Sequence, residues 1–71
     1  MNRILVESST IKSIGYNFKQ AILEIEFIRG AVYRYFNVPQ SEFLALKFAN
    51  SKGKYFSKNI AKNYEFKKVS E

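Results

Sequence analysis

The sequence predicts a small α+β domain: a three-stranded antiparallel meander followed by two short helices packed on one face of the sheet. Three observations predict it. Residues 10–36 alternate apolar and polar positions as strands do. Residues 39–62 step their apolar positions by three and four, as helices do. Between the two lies Gly30–Pro39 (Gly-Ala-Val-Tyr-Arg-Tyr-Phe-Asn-Val-Pro), a turn glycine, an aromatic strand and a proline suited to a first helical turn.

The 71 residues allow one domain, 1–71, with residues 1–7 as a lead-in that is either a frayed end or a short edge strand. Such a chain buries only about 60% of its unfolded surface. Seven Phe and five Tyr supply the apolar area that this size otherwise lacks.

Thr10–Tyr16 reads as the first strand, with Lys12, Ile14 and Tyr16 on one face and Ile11, Ser13 and Gly15 on the other. Gly15 inside a strand signals a bulge or a close backbone approach. Asn17–Gln20 is the expected turn. Ala21–Phe27 is the clearest strand: Leu23, Ile25 and Phe27 alternate with Glu24 and Glu26. The next strand, Ala31–Phe36, admits two hairpin registers. A two-residue loop at Arg29-Gly30 places Tyr33 and Tyr35 on the face of the glutamates. A three-residue loop with left-handed Gly30 pairs Phe27 with Ala31, Ile25 with Tyr33, Leu23 with Tyr35 and Glu24 with Arg34. The second register is preferred, because apolar burial and opposite-charge pairing agree there.

Pro39–Ala49 reads as a helix with Phe43, Leu44, Leu46 and Phe48 on a broad apolar side. Ser51 is the N-cap candidate of a second helix, Lys52 to about Lys62. Along it Phe56, Ile60 and Tyr64 make an apolar line, and Lys54, Lys58 and Lys62 make a basic one on the opposite face. Phe43, Leu46, Phe48, Phe56 and Ile60 are expected to cover Leu23, Ile25, Phe27, Tyr33 and Tyr35. Residues 64–69 read as a final short strand or an extended tail.

The net charge of +6 is uneven. Residues 1–46 carry five Lys/Arg against four Glu, while residues 47–71 carry seven Lys against two Glu. A basic half suits an anionic partner. Lys54, Lys58 and Lys62, with Lys52 and Lys67 beside them, match several phosphates of an RNA better than one small anion; the competing reading is a solvated helix face. Arg34 and Tyr55 are expected to add contacts to bases. The rival partner is an acidic protein surface docked on the same helix.

Catalysis finds little support. The chain has no His and no Cys, which removes the usual general base, the commonest metal ligand and any disulfide. Ser51-Lys52-Gly53-Lys54 is not a P-loop, since the earlier glycine and the closing Ser/Thr are missing. No catalytic residue, metal ligand or cofactor is expected. No apolar run reaches the ~20 residues of a membrane span, and Glu7 interrupts Ile4-Leu5-Val6, so a cytoplasmic protein with no membrane partner is expected.

Ser8-Ser9-Thr10-Ile11, Ile14-Gly15-Tyr16, Leu23–Phe27, Gly30, Tyr33-Arg34-Tyr35, Val38-Pro39, Ser51, Gly53-Lys54-Tyr55-Phe56, Ile60 and Tyr64 together resemble the KTSC domain. That module is named for its occurrence at the C-terminus of some lysyl-tRNA synthetases and is also seen as stand-alone bacterial proteins. The resemblance covers about Ser8 to Val69. It implies the fold more firmly than an activity, and by its company in synthetases it implies RNA binding. The sequence departs from the family pattern at Lys52, where proline is common, and at Ser57, where asparagine is common.

Overall fold

In the computed structural model, which describes residues 2–70 with Ser70 in its backbone alone, the central hairpin turns on Gly30. Its φ of 108° lies where side-chain-bearing residues are strained. Phe27 N–H donates to Ala31 C=O at 2.9 Å, and Gly30 N–H to Phe27 C=O at 2.9 Å, closing the three-residue loop. Strand β3 (Ile22–Phe27) therefore meets β4 (Val32–Tyr35) in the preferred register: Leu23 faces Tyr35, Glu24 faces Arg34 and Ile25 faces Tyr33. Met1 of the lead-in and Glu71 at the far end of the expected 1–71 domain lie outside the described residues.

The sheet is wider than the expected three strands. It is a five-stranded antiparallel meander, β1-β2-β3-β4-β5. Strand β1 (Arg3–Leu5) is the lead-in, an edge strand along β2 (Ile11–Asn17). Strand β5 (Phe66–Ser70) is the C-terminal segment, paired along β4. Residues 3–5 and 66–69 of the added strands are solvent-exposed, so neither needs the apolar alternation by which an interior strand is read.

The face of β2 is also corrected. A bulge falls between Ile11 and Ser13, not at Gly15. The extra residue, Lys12, breaks the period of two, so Ile11 joins Ile14 in the core and both are fully buried. No close approach at Gly15 is seen among the described residues either. It lies in register between Arg3 and Glu24. The Arg3 guanidinium reaches across β2 to Glu24 at 3.1 Å, while Arg34 Nε donates to the other Glu24 oxygen at 2.8 Å. Glu24 is 8% exposed in its side chain, and Glu26 accepts from Ser13 Oγ at 2.8 Å. The two glutamates are thus paired on the sheet's outer face rather than merely solvated.

Both helices cover the inner face. Asn37, at φ 58°, turns the chain after β4, and Val38-Pro39 leads into α1 (Gln40–Lys47). Pro39 is the N-cap residue, with extended backbone. Tyr16 donates its hydroxyl to Val38 C=O at 2.6 Å and stacks on Phe43, ring centroids 5.1 Å apart. Leu46, Phe56 and Ile60 are buried against Leu23, Ile25 and Tyr35 as expected. Phe48 is not part of this core. The helix ends at Lys47, and the Phe48 ring, 74% exposed, lies under the Lys47 ammonium.

The second helix is shorter than expected and changes type. Ser51 caps α2 (Lys52–Tyr55), which runs on as a π-helical segment, Phe56–Ile60. Ala61 N–H donates to Phe56 C=O at 2.9 Å, five residues back. Helical structure stops there, so Lys62 sits in the turn that follows.

Candidate nucleic-acid interface

The turn before β2 is built by one hydroxyl. Ser8 Oγ accepts from the backbone N–H of Thr10 at 3.1 Å and of Ile11 at 3.2 Å. This turn rests against the first turn of α2, and Gly53 permits it: a Cβ there would lie 3.2 Å from Thr10 Oγ1 and 3.4 Å from Thr10 Cβ. Two stretches far apart in the chain thus close a hollow of about 770 Å³.

Ser8, Ser9 and Thr10 form one wall of the hollow. Ser51, Lys52, Lys54, Ser57 and Lys58 form the other. Hydroxyl and ammonium groups in one lining are the chemistry that holds a phosphate. Lys52 also donates to Ala49 C=O at 3.1 Å, which fixes its side chain at the end of α1. Glu7 contributes one carboxylate to the lining.

A second groove, of about 710 Å³, opens beside the first and shares Ser9, Thr10 and Ser57 with it. Its floor is aromatic: Phe27, Tyr33, Tyr35, Phe56 and Phe66 line it. The Phe66 centroid lies 5.7 Å from that of Tyr33 and 5.5 Å from that of Tyr35. Phe56 meets Phe27 and Tyr35 edge-on, each at 5.4 Å. Tyr35 is buried, which pushes its hydroxyl up to about 12, with Tyr33 adding to the effect. Phe66 remains 54% exposed on the edge strand.

The expected site residues fall into separate places. Lys52, Lys54 and Lys58 come together at the hollow. Lys62, in the 61–63 turn, lines neither cavity. Arg34 and Lys67 are register neighbours, and Arg34 is held by Glu24 on the outer face of the sheet, away from the helices. Tyr55 turns its hydroxyl to Glu42 of α1, which also accepts from Tyr64 at 2.9 Å. The bond to Glu42, then burial, pushes Tyr55 up to about 12; burial, then the same carboxylate, raises Tyr64. Ser8, Ser9, Thr10 and Ser57 were not among the expected site residues. Three consecutive hydroxyls before a strand are their signal, but nothing local joins them to α2.

Among the described residues, no group of three or more Asp or Glu is placed to hold a metal ion. No helix among them is long and apolar enough to cross a membrane.

A five-stranded meander with two helices on one face, and a hydroxyl- and lysine-lined hollow between the first turn and the second helix, defines a small basic α+β domain. The KTSC domain family model matches residues 7–64, and the chain belongs to that family. It is 46% identical over 57 residues to an uncharacterized protein of Stutzerimonas stutzeri, covering 80% of each chain. It is also 44% identical over 64 residues to a lysine–tRNA ligase of Nostoc punctiforme, covering 90% of this chain but 11% of the ligase. The crystal structure of a KTSC domain protein from Yersinia pestis superposes with a TM-score of 0.91 at 36% identity, covering 96% of both chains.

Proposed function

We propose that this protein is a non-catalytic RNA-binding domain that grips the phosphate backbone at the hollow between the Ser8–Thr10 turn and α2. One observation carries the reading: Lys52, Lys54 and Lys58 converge with the hydroxyls of Ser8, Ser9, Thr10, Ser51 and Ser57 around one cavity. The lysines supply long-range attraction, and the hydroxyls supply oriented donors at short range. The charge of +6 supports an anionic partner, and kinship with lysine–tRNA ligases supports an RNA. A non-catalytic role is supported by the chemistry available: the chain holds no imidazole or thiol to activate the hydroxyls. The same kinship favours a place in the cytoplasm.

Fluorescence anisotropy with labelled single-stranded and duplex RNA at several salt concentrations tests this. Neutralisation of about three phosphates predicts a log–log salt slope near −2 on single strands. The paired change Lys54→Glu and Lys58→Glu should abolish binding at moderate salt. Lys62→Glu with Lys67→Glu alters the total charge equally, away from the hollow, and should weaken binding far less. Equal losses from both pairs would reduce the interaction to generic polyanion attraction. No binding at low salt would refute the RNA reading and turn the search to an acidic protein surface.

A further inference from the structure

We propose that the aromatic groove receives the unpaired base of a nucleotide whose phosphate sits in the adjoining hydroxyl–lysine hollow, which makes the domain a binder of single-stranded rather than duplex RNA. This rests on the RNA-binding reading above and extends it from the backbone to the base.

The two cavities adjoin: Ser9, Thr10 and Ser57 line both, so a base and its own phosphate can reach one each. Their chemistries differ as the two ends of a nucleotide do. The hollow presents hydroxyls and ammonium groups; the groove presents rings. Among the described residues no carboxylate lines the groove, while Arg29 and Lys68 do. The groove therefore suits a flat, apolar-faced group attached to an anion.

Phe66 is the ring best placed to stack. It lies on the edge strand β5, keeps 54% of its surface open, and is backed by Tyr33 and Tyr35. A core-building phenylalanine would be buried, as Phe56 is at 7% exposure. Stacking on such a ring accepts any base, because every base has a π-face. Stacking of this kind favours the presence of a base over its identity. Paired bases stay inside their stack and cannot enter.

The test compares hexauridylate with an abasic ribose-phosphate hexamer of equal charge, by anisotropy competition on the intact chain. Phe66→Leu keeps an apolar side chain of similar bulk on β5 and removes the ring; Phe66→Ala removes the bulk as well. Circular dichroism checks that each variant is folded. The wild-type protein should bind hexauridylate about tenfold more tightly than the abasic hexamer. Phe66→Leu should erase most of that ratio while leaving abasic binding unchanged, and labelled-amide NMR should show Tyr33 and Phe66 shifting with hexauridylate but not with the abasic chain. Equal binding of the two hexamers, or a ratio unaffected by Phe66→Leu, overturns the groove and leaves phosphate binding at the hollow standing. Failure of both hexamers to bind at low salt removes the RNA reading and the groove with it.

Discussion

Glu42 ties the first helix to the second, and its removal should be felt in both stability and titration. Its carboxylate accepts from the Tyr55 hydroxyl on α2 and from the Tyr64 hydroxyl beyond the π segment. Hydrogen bonds to a charged acceptor contribute about 1.5–3 kcal/mol each. Both lie in partly buried surroundings, which favours the low end, so Glu42→Leu should cost about 3 kcal/mol in all. A domain of this size has roughly 4–10 kcal/mol to lose. The same loss corresponds to a fall in Tm of about 20 °C. Glu42→Gln keeps an acceptor without the charge and should cost about half as much. Urea denaturation followed by circular dichroism at neutral pH gives these values. Phenolate absorbance gives an independent readout. Tyr55 is held up to about 12 first by its bond to Glu42, whereas Tyr35 is held at about 12 first by burial. Glu42→Leu should return Tyr55 toward its ordinary value and leave Tyr35 in place. A folded-state value raised above the unfolded one means the neutral hydroxyl is favoured in the fold. The stability it contributes is complete below about pH 10 and is lost as the pH climbs through about 12. A Glu42→Leu protein within about 0.5 kcal/mol of wild type, or a Tyr55 that titrates unchanged, would refute the reasoning.

Two glycines carry the remaining predictions. Gly30→Ala forces a side chain onto a φ of 108° and should cost about 1–2 kcal/mol in urea melts; undiminished stability would mean that the loop holds another conformation. Gly53→Ala gains about 1 kcal/mol of helix propensity but sets a Cβ 3.2 Å from Thr10 Oγ1, so it should come out near neutral. In a Thr10→Ala background the hydroxyl is gone, and the same Gly53→Ala change should stabilise by several tenths of a kcal/mol or more. A Gly53→Ala effect that is independent of Thr10 would show that the turn and helix do not press on each other.

Legibility in the sequence follows the range of the interactions. The central hairpin was readable because its determinants are neighbours: Gly30 sets the loop, and the loop sets Glu24 against Arg34 and Ile25 against Tyr33. Ile11 was assigned to the wrong face because one inserted residue, Lys12, defeats a period-of-two argument without leaving a compositional mark. Phe48 was assigned to the core because a helical step from Leu44 assumes that the helix continues, and it ends first. The two edge strands stayed open alternatives in the sequence because β1 and β5 are held by backbone pairing to β2 and β4 rather than by an apolar stripe.

The site divides in the same way. Counting lysines along one helical face singled out Lys54, Lys58 and Lys62 as equivalent, since local spacing treats them alike. The structure separates them, because a second wall stands across from Lys54 and Lys58 and not from Lys62. That wall is Ser8–Thr10, which meets α2 at Gly53. Lys58 lies opposite it and Lys62 lies past the end of the helical segment. Thus Gly53, which offers no donor or charge of its own, marks the point where the two walls meet. A residue with no side chain is where a sequence reading of binding chemistry is blind, and a short distance to Thr10 is where a structure restores the sense of it.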